Sequence, residues 1–571
     1  AALLLDSPMQ GVKQRLTYAE LRRNVDSLAA ALQEMGCGYD ESSPPGESKV
    51  VLIYMPSGIE AVTAMLAAAR IGAPHSVVFG GFSSEELAKR IAHARPRVVI
   101  ASSCGLEPKG VLPYKPLLDH AIELAGPDAA PAHCIIHQRP QCTAELQARD
   151  VDWADATAKH TNTDVTPVSV PSSHPLYILY TSGTTGTPKG VVRDTGGYAT
   201  ALAWSMPHIY GCGAGDVYWA ASDVGWVVGH SYITYGPLLA GCASVVYEGK
   251  PVGTPDAGAF WRVIEENSVN VLFCAPTAFR AIQQKDPHAA LLKNYDTSSL
   301  RTLFLAGERA DANIVKWAED ILQKPVIDNY WQTETGWPIA SNFVGKGFHA
   351  TKRGSATKPV PGYDVRVLGK DCKEVAPGML GTICLKRPLP PGCLVDLWKD
   401  KEGMKAKYFG KFSEEFYDTG DAGHVDDDGY LHVMTRSGDI LNVAGHRLST
   451  GGLEEVITRH PGVAECAVVG LHDDVKGQLP FPFLVLNDEC RESEEEILAA
   501  CRRNVREAVG AIASFQRGLV VASLPKTRSG KILRRVLQSL VDCEPYKVPA
   551  TIDDPSTIDK IAERLALSMK K

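Results

Sequence analysis

Tyr180-Thr181-Ser182-Gly183-Thr184-Thr185-Gly186-Thr187-Pro188-Lys189-Gly190 is the stretch on which the reading of this chain turns. An apolar run, Leu176 to Tyr180, leads into it and Val191-Val192 follows, so the pattern predicts a loop held at both ends by buried strands. Three glycines let the backbone approach an anion closely, five Thr and Ser hydroxyls offer donors, and Lys189 adds a charge. Such a nest suits the β,γ-phosphates of a nucleotide. It is not a Walker loop, because Gly190 and Val191 follow the lysine where a magnesium-binding hydroxyl belongs.

Length and composition narrow the rest. A chain of 571 residues, 44% hydrophobic, exceeds one core and predicts two or more packed units. A net charge of -7 without a long basic tract weighs against nucleic acid as the main ligand. The 14 cysteines form no C-x-x-C pair, and several lie in apolar runs such as Val271-Leu272-Phe273-Cys274; they read as reduced core thiols. No apolar run reaches the roughly 18 residues of a membrane span. Ala1 to Asp6 reads as neither a signal nor a transit peptide, and the expectation is a cut end.

From Val50 to Ala101 strands and helices alternate, a βαβ rhythm that predicts an α/β fold with a parallel sheet. Before it, Thr17 and Glu20 have the spacing of a capping box at a helix ended by Gly36. From about residue 358 short β runs with Gly/Pro turns predict a small β subdomain. Beyond Arg436-Ser437-Gly438-Asp439 the pattern predicts a compact α+β unit, including strands Val463 to Val469 and Phe481 to Leu486 and a helix capped by Ser493 and Glu496. The expected division is 1–437, a large nucleotide- and acid-binding domain, and 438–571, a small mobile lid.

Four further strings carry chemistry: Asp328-Asn329-Tyr330-Trp331-Gln332-Thr333-Glu334-Thr335-Gly336, Tyr417-Asp418-Thr419-Gly420-Asp421, Asn442-Val443-Ala444-Gly445-His446-Arg447, and Pro525-Lys526-Thr527-Arg528-Ser529-Gly530-Lys531. With the loop at 180 they resemble, in order, the motifs of the adenylate-forming superfamily. The chain is similar over its whole length to the short-chain AMP-forming acyl-CoA synthetases of the propionyl-CoA synthetase type, without their N-terminal segment. The resemblance implies ATP, Mg²⁺ and coenzyme A as partners of a small-molecule carboxylate, with an acyl-adenylate between two half-reactions. By the same resemblance Thr181, Ser182, Gly183, Thr184, Thr185, Gly186 and Lys189 cradle phosphate, and Gly307, Glu308, Arg309, Asp328, Asn329, Tyr330, Trp331 and Gln332 surround the nucleotide. Thr333 meets the α-phosphate, Glu334 holds the metal, Asp421 takes the ribose hydroxyls, and Arg436 and Arg447 reach the nucleotide. Lys531 is the catalytic lysine, and its acylation would regulate the enzyme by removing its charge.

The resemblance also implies an acyl pocket of Trp226, Val227, Val228, Ala306 and Trp331. Trp331 closes a tunnel that longer-chain relatives leave open with glycine. Acetate-specific members carry threonine for Val228 and valine for Ala306, so this pocket is expected to be roomier and to favour propionate, with acetate or butyrate as alternatives. Gly81, Gly445 and Arg506 fall where relatives contact CoA, while the expected arginines are replaced by Glu107, Pro108, Lys109 and Gly110. The family's acidic or lysine hinge residue is Gly438 here, followed by Asp439, so rotation is expected at one of these two. Carrier-protein loading is disfavoured, since no carrier segment follows Lys571, as is a non-catalytic nucleotide binder, since Thr333, Glu334, Asp421 and Lys531 are intact. Animal members of the propionyl type are mitochondrial, which implies the matrix; the cytoplasm is the alternative.

Overall fold

Two sheets face each other across the main core and aim the carboxyl ends of their parallel strands at the regions singled out above. The computed structural model describes residues 1–571 except 43–48, 109, 182–187, 311, 445, 474–475, 489, 514, 528–529, 550 and 570–571, together with the side chains of 447 and 569. One sheet has seven strands, in the order Val326–Asp328, Thr302–Leu305, Val271–Cys274, Val217–Ala220, Ala243–Tyr247, Leu3–Ser7, Val12–Leu16. All its neighbours are parallel except the last pair. The other has eight: Asp396–Leu397, Lys189–Asp194, Pro175–Thr181, His75–Phe79, Val51–Met55, Val98–Ser102, His133–His137, Asp150–Asp152. Here the signature hairpin, Pro175–Thr181 with Lys189–Asp194, is antiparallel and joins the parallel strands through Tyr177 and His75.

Apolar sequence explains the layering. Val51–Met55 and Val98–Ser102 are buried on both faces, as continuous Val/Ile/Leu runs in a parallel sheet require. The helices between them, Ile59–Arg70 and Ser84–Ala94, cover opposite faces: Val62 and Met65 enter the core between the sheets, Leu87 and Ile91 the outer one. The first helix, Tyr18–Glu34, starts on the expected capping box, with Glu20 N donating to Thr17 Oγ1 at 3.2 Å and Thr17 N to Glu20 Oε2 at 2.8 Å.

Asp364–Leu368, Gly381–Lys386, Phe416–Val425 and Leu431–Arg436 make the expected β subdomain, an antiparallel sheet that sets Asp421 directly opposite Arg436. After it, Ile440–Val443, His446–Ser449, Val463–Asp473, Gly477–Leu486 and Leu519–Val520 form a sheet of their own with a core on each face. The two long strands there outrun their apolar segments. Their hairpin register continues through polar residues to Asp473↔Gly477, whereas hydrophobic pattern marks only the buried part. The 14 cysteines are free thiols, and no described helix is long and apolar enough to cross a membrane.

Gly190 lets the hairpin pack. A Cβ there would lie 2.8 Å from Ile178 Cγ2 and 3.0 Å from Trp398 Cβ. Gly190→Ala should therefore cost about 1–3 kcal/mol by overpacking and lower the Tm by several degrees in thermal denaturation.

Candidate active site

Adjacency of strands places the site. Val217–Ala220, Val271–Cys274, Thr302–Leu305 and Val326–Asp328 are consecutive neighbours, and their carboxyl ends deliver Trp226 to Val228, Thr277, Ala306 to Arg309, and the 328–336 turn along one sheet edge. This edge is where α/β sheets bind ligands.

Thr181 and Lys189 face each other across the signature hairpin. Ser182, Gly183, Thr184, Thr185 and Gly186 lie outside the described residues. The Lys189 ammonium meets Lys407, a residue the sequence reading did not single out. Burial lowers Lys407 to about 8, with Glu334 opposing and Lys189 and Arg436 adding to the fall. Two ammoniums side by side repel unless a polyanion lies between them, which is what a triphosphate supplies.

Carbonyl clamps fix the 328–336 turn. Arg193, fully buried, donates to the carbonyl oxygens of Thr333, Glu334 (2.9 Å) and Gly392 (2.6 Å) and to Tyr177 Oη (3.1 Å). Ser231 Oγ donates to Gly336 O at 2.6 Å, and Leu394 N to Glu334 O at 2.7 Å. The Glu334 side chain accepts a bond from Tyr408 Oη at 2.7 Å. Neither Arg193 nor Tyr408 belongs to a motif string; the only sequence signal was a charged residue inside the apolar run after the loop. Asn329 turns into the core and donates to Tyr210 Oη at 3.0 Å.

Asp421 gathers Tyr330, Gln332 and Arg436. Its Oδ2 accepts from Tyr330 Oη at 2.7 Å and from Gln332, and its Oδ1 pairs with Arg436 at 3.0 Å. Lys531 closes the group from the other domain. Its turn is held by Thr527 N donating to Lys531 O at 2.8 Å, and Gly530 packs on Thr277, whose Oγ1 donates to Gly530 O at 3.3 Å. The Lys531 ammonium is reachable by solvent yet deep in the cleft. Burial and Arg436 push it below the usual lysine range, while Asp421, Glu334 and Glu308 draw it up.

Other singled-out residues go elsewhere. Glu308 accepts from Thr277 N at 2.7 Å and pairs with Arg280; Arg309 spans to the second domain, donating to Gly451 O and pairing with Glu455. Gly307 has a positive φ of 99° in open space. Val228 and Ala306 are buried in one cluster, with Trp226, Val227 and Trp331 packed against it. The Trp331 ring lies 5.5 Å from Tyr232 and 5.9 Å from Phe273, centroid to centroid. Gly81 turns at φ 84° after His75–Phe79, whereas Arg506 is exposed on the last turn of Glu494–Ala508, and no described contact joins them. Glu107 pairs with Lys250 at 3.5 Å. Lys109, Gly445 and the Arg447 side chain lie outside the described residues. Gly438 has nothing within 4 Å of a notional Cβ, and Asp439 faces Arg534 at 3.9 Å.

A paired hairpin on either side of the signature loop, a clamped acidic turn, a carboxylate–arginine pair and a lysine from a second domain suit an enzyme that activates its substrate with a nucleotide. Comparison with known proteins gives the same class. The AMP-binding enzyme family matches residues 3–390 and the AMP-binding enzyme C-terminal domain residues 452–531. The chain is 48% identical over 567 residues to acyl-CoA synthetase short-chain family member 3, mitochondrial, of Homo sapiens, covering 99% of this chain and 81% of that protein. It is 42% identical over 573 residues to propionate–CoA ligase of Escherichia coli, covering 99% and 89%. Acetoacetyl-CoA synthetase from Streptomyces lividans shares the fold, with a TM-score of 0.84 at 22% identity over 100% of this chain and 84% of that one. The chain belongs to the AMP-binding enzyme family and, within it, to the short-chain acyl-CoA synthetases.

Asp328 provides a test of the local electrostatics. Burial raises its carboxyl from 3.8 to about 7, against the pull of Arg309 and the Asn329 backbone. Between those values the folded protein keeps a proton that the unfolded chain releases, so stability falls as pH rises through that window. Asp328→Asn should abolish this loss: its Tm relative to wild type should be higher at pH 8 than at pH 4, read by calorimetry at both.

Proposed function

We propose that the protein ligates propionate to coenzyme A with ATP, through propionyl-adenylate, releasing AMP and pyrophosphate. In the first half-reaction a carboxylate oxygen attacks the α-phosphorus and the bond to the β,γ-unit breaks. In the second, the CoA thiol attacks the acyl carbon, loses its proton and displaces AMP. Both are reactions of positioning and charge stabilisation. The observation that carries this reading is the convergence of Glu334, Asp421, Arg436 and Lys531, from two turns, two strands and two domains, on one cleft.

The geometry supports the roles that the resemblance implies. Lys531, drawn by Asp421 and Glu334, stands where negative charge develops on the attacking carboxylate and the leaving pyrophosphate. Lys189 and Lys407 neutralise the β,γ-phosphates. Thr333 meets the α-phosphate, and Tyr330 and Asp421 hold the adenosine. Magnesium suits Glu334: one half-buried carboxylate, oriented by Tyr408, matches an ion that otherwise takes phosphate oxygens and water. The ion would supply charge neutralisation on the triphosphate. The boundary at 437/438 with Gly438 or Asp439 as the pivot is supported by the open space around Gly438. Rotation there would exchange Lys531 for the Gly445 region. The depressed basicity of Lys531 also favours its acylation as a regulatory modification. The mitochondrial relatives support the matrix as compartment.

Propionate rests on Val228 and Ala306. An alanine at 306 leaves room that valine would fill, and valine at 228 removes a hydroxyl from the apolar wall. One methylene is worth roughly 1–3 kcal/mol in such a pocket, or about 10–200-fold in kcat/KM. The test is AMP production with ATP, Mg²⁺ and CoA across acetate, propionate, butyrate and hexanoate. A propionate maximum is expected, moved toward acetate by Ala306→Val with Val228→Thr. Near-equal kcat/KM for acetate and propionate would discard the pocket reading. Lys531→Ala should slow adenylate formation by about 10²–10³-fold, measured as pyrophosphate exchange into ATP.

A further inference from the structure

Arg193 has no place in the reaction just described, yet it is among the largest fully buried side chains of the protein. Its four hydrogen bonds go to neutral oxygens: three carbonyls and one phenol. The Tyr177 and Tyr198 rings flank the guanidinium at 5.8 and 5.7 Å. Burying a cation against neutral partners is costly, and a smaller polar side chain would satisfy fewer carbonyls without that cost. The surroundings are also shaped to admit it. Gly336, at φ 75°, comes so close that a Cβ would lie 2.8 Å from Arg193 Cζ and 2.9 Å from Gly392 O.

What the guanidinium holds is specific. Two of its carbonyls belong to Thr333 and Glu334, and the third, from Gly392, sits in the segment whose Leu394 N also bonds Glu334 O. Ser231, itself bonded to Tyr198 Oη at 2.6 Å, fixes Gly336 O two residues on. Arg193 lies on the same strand as Lys189, four residues from the phosphate loop. One short strand therefore carries a phosphate-facing lysine at its start and, near its end, the clamp on the phosphate and metal turn.

We propose that Arg193 is a positioning residue for adenylate formation: its planar fork sets the backbone of Thr333 and Glu334 in register with the phosphate loop. This rests on the assignment of Thr333 and Glu334 above. Because the clamp acts on the turn used for the α-phosphate and not on the thiol path, its loss separates the two half-reactions. Lysine keeps the charge but not the fork, so it cannot reach all three carbonyls.

Full-length Arg193→Lys and Ser231→Ala, each checked for wild-type folding by circular dichroism, are assayed for pyrophosphate–ATP exchange and, separately, for thioester formation from supplied propionyl-AMP and CoA. For Arg193→Lys exchange kcat should fall about 100-fold, the scale of a misplaced reacting group. Its half-saturating Mg²⁺ should rise about tenfold, with thioester formation changed less than about threefold; Ser231→Ala should show the same split more weakly. The proposal is overturned if folded Arg193→Lys, or Ser231→Ala where the former does not fold, loses both half-reactions in equal proportion or neither. Glu334→Gln run in parallel tests the underlying assignment: wild-type Mg²⁺ dependence in that variant removes the role of the turn, and the proposal with it.

Discussion

A buried guanidinium bonded to three backbone carbonyls is the contact on which the active-site architecture depends. Arg193 ties the strand after the phosphate loop, in the eight-stranded sheet, to the turn that follows the edge strand of the seven-stranded one. Elsewhere the two sheets meet through apolar packing, the buried Arg139–Glu248 ion pair at 2.8 Å and the Ser57–Asp223 hydrogen bond at 3.0 Å. The directional bonds from Arg193 to Thr333, Glu334 and Gly392 tie the strand that begins with Lys189 to the turn that carries Glu334. Gly336 and Gly392 are glycines because the guanidinium and neighbouring side chains leave no room for a Cβ.

The second domain is held over this frame by charge more than by apolar burial. Arg309 reaches Gly451 and Glu455, Arg280 lies between Glu308 and Glu465, and Gly530 rests on Thr277. Such contacts are partly solvated, so they are weak singly and exchangeable as a set. That is what a domain needs if it presents Lys531 for one half-reaction and a different face for the other. Gly438, where a Cβ would meet no described residue within 4 Å, adds backbone freedom at the junction.

Trp331 and Tyr330, which the proposed function assigns to substrate size and to the nucleotide, are adjacent residues with different neighbours. Tyr330 binds Asp421 through its hydroxyl, while the Trp331 ring packs with Tyr232 and Phe273 against the cluster holding Val228 and Ala306. In the function proposed above, the acyl pocket and the nucleotide site would thus share one stretch of backbone, and a bound acid and the α-phosphate would be set in mutual position by one turn.

Local pattern alone announced much of this protein. The loop at 180, the turns at 328, 417 and 525, the βαβ alternation and both capping boxes depend on residues close together in the chain, where spacing is information. Asp328, Tyr330 and Asp421 are singled out because those short strings resemble the family's motifs. The tertiary structure decided the rest. Arg193, Ser231, Lys407 and Tyr408 lie far in sequence from Glu334, and only the crossing of strands brings them to it. The side chains of Glu308 and Arg309 bond Thr277, Arg280 and the second domain, partners from distant segments that no local string reveals. A hydrogen-bond partner two hundred residues away leaves no periodicity behind, and so the chemistry was legible in the motifs while the machinery that aligns them was not.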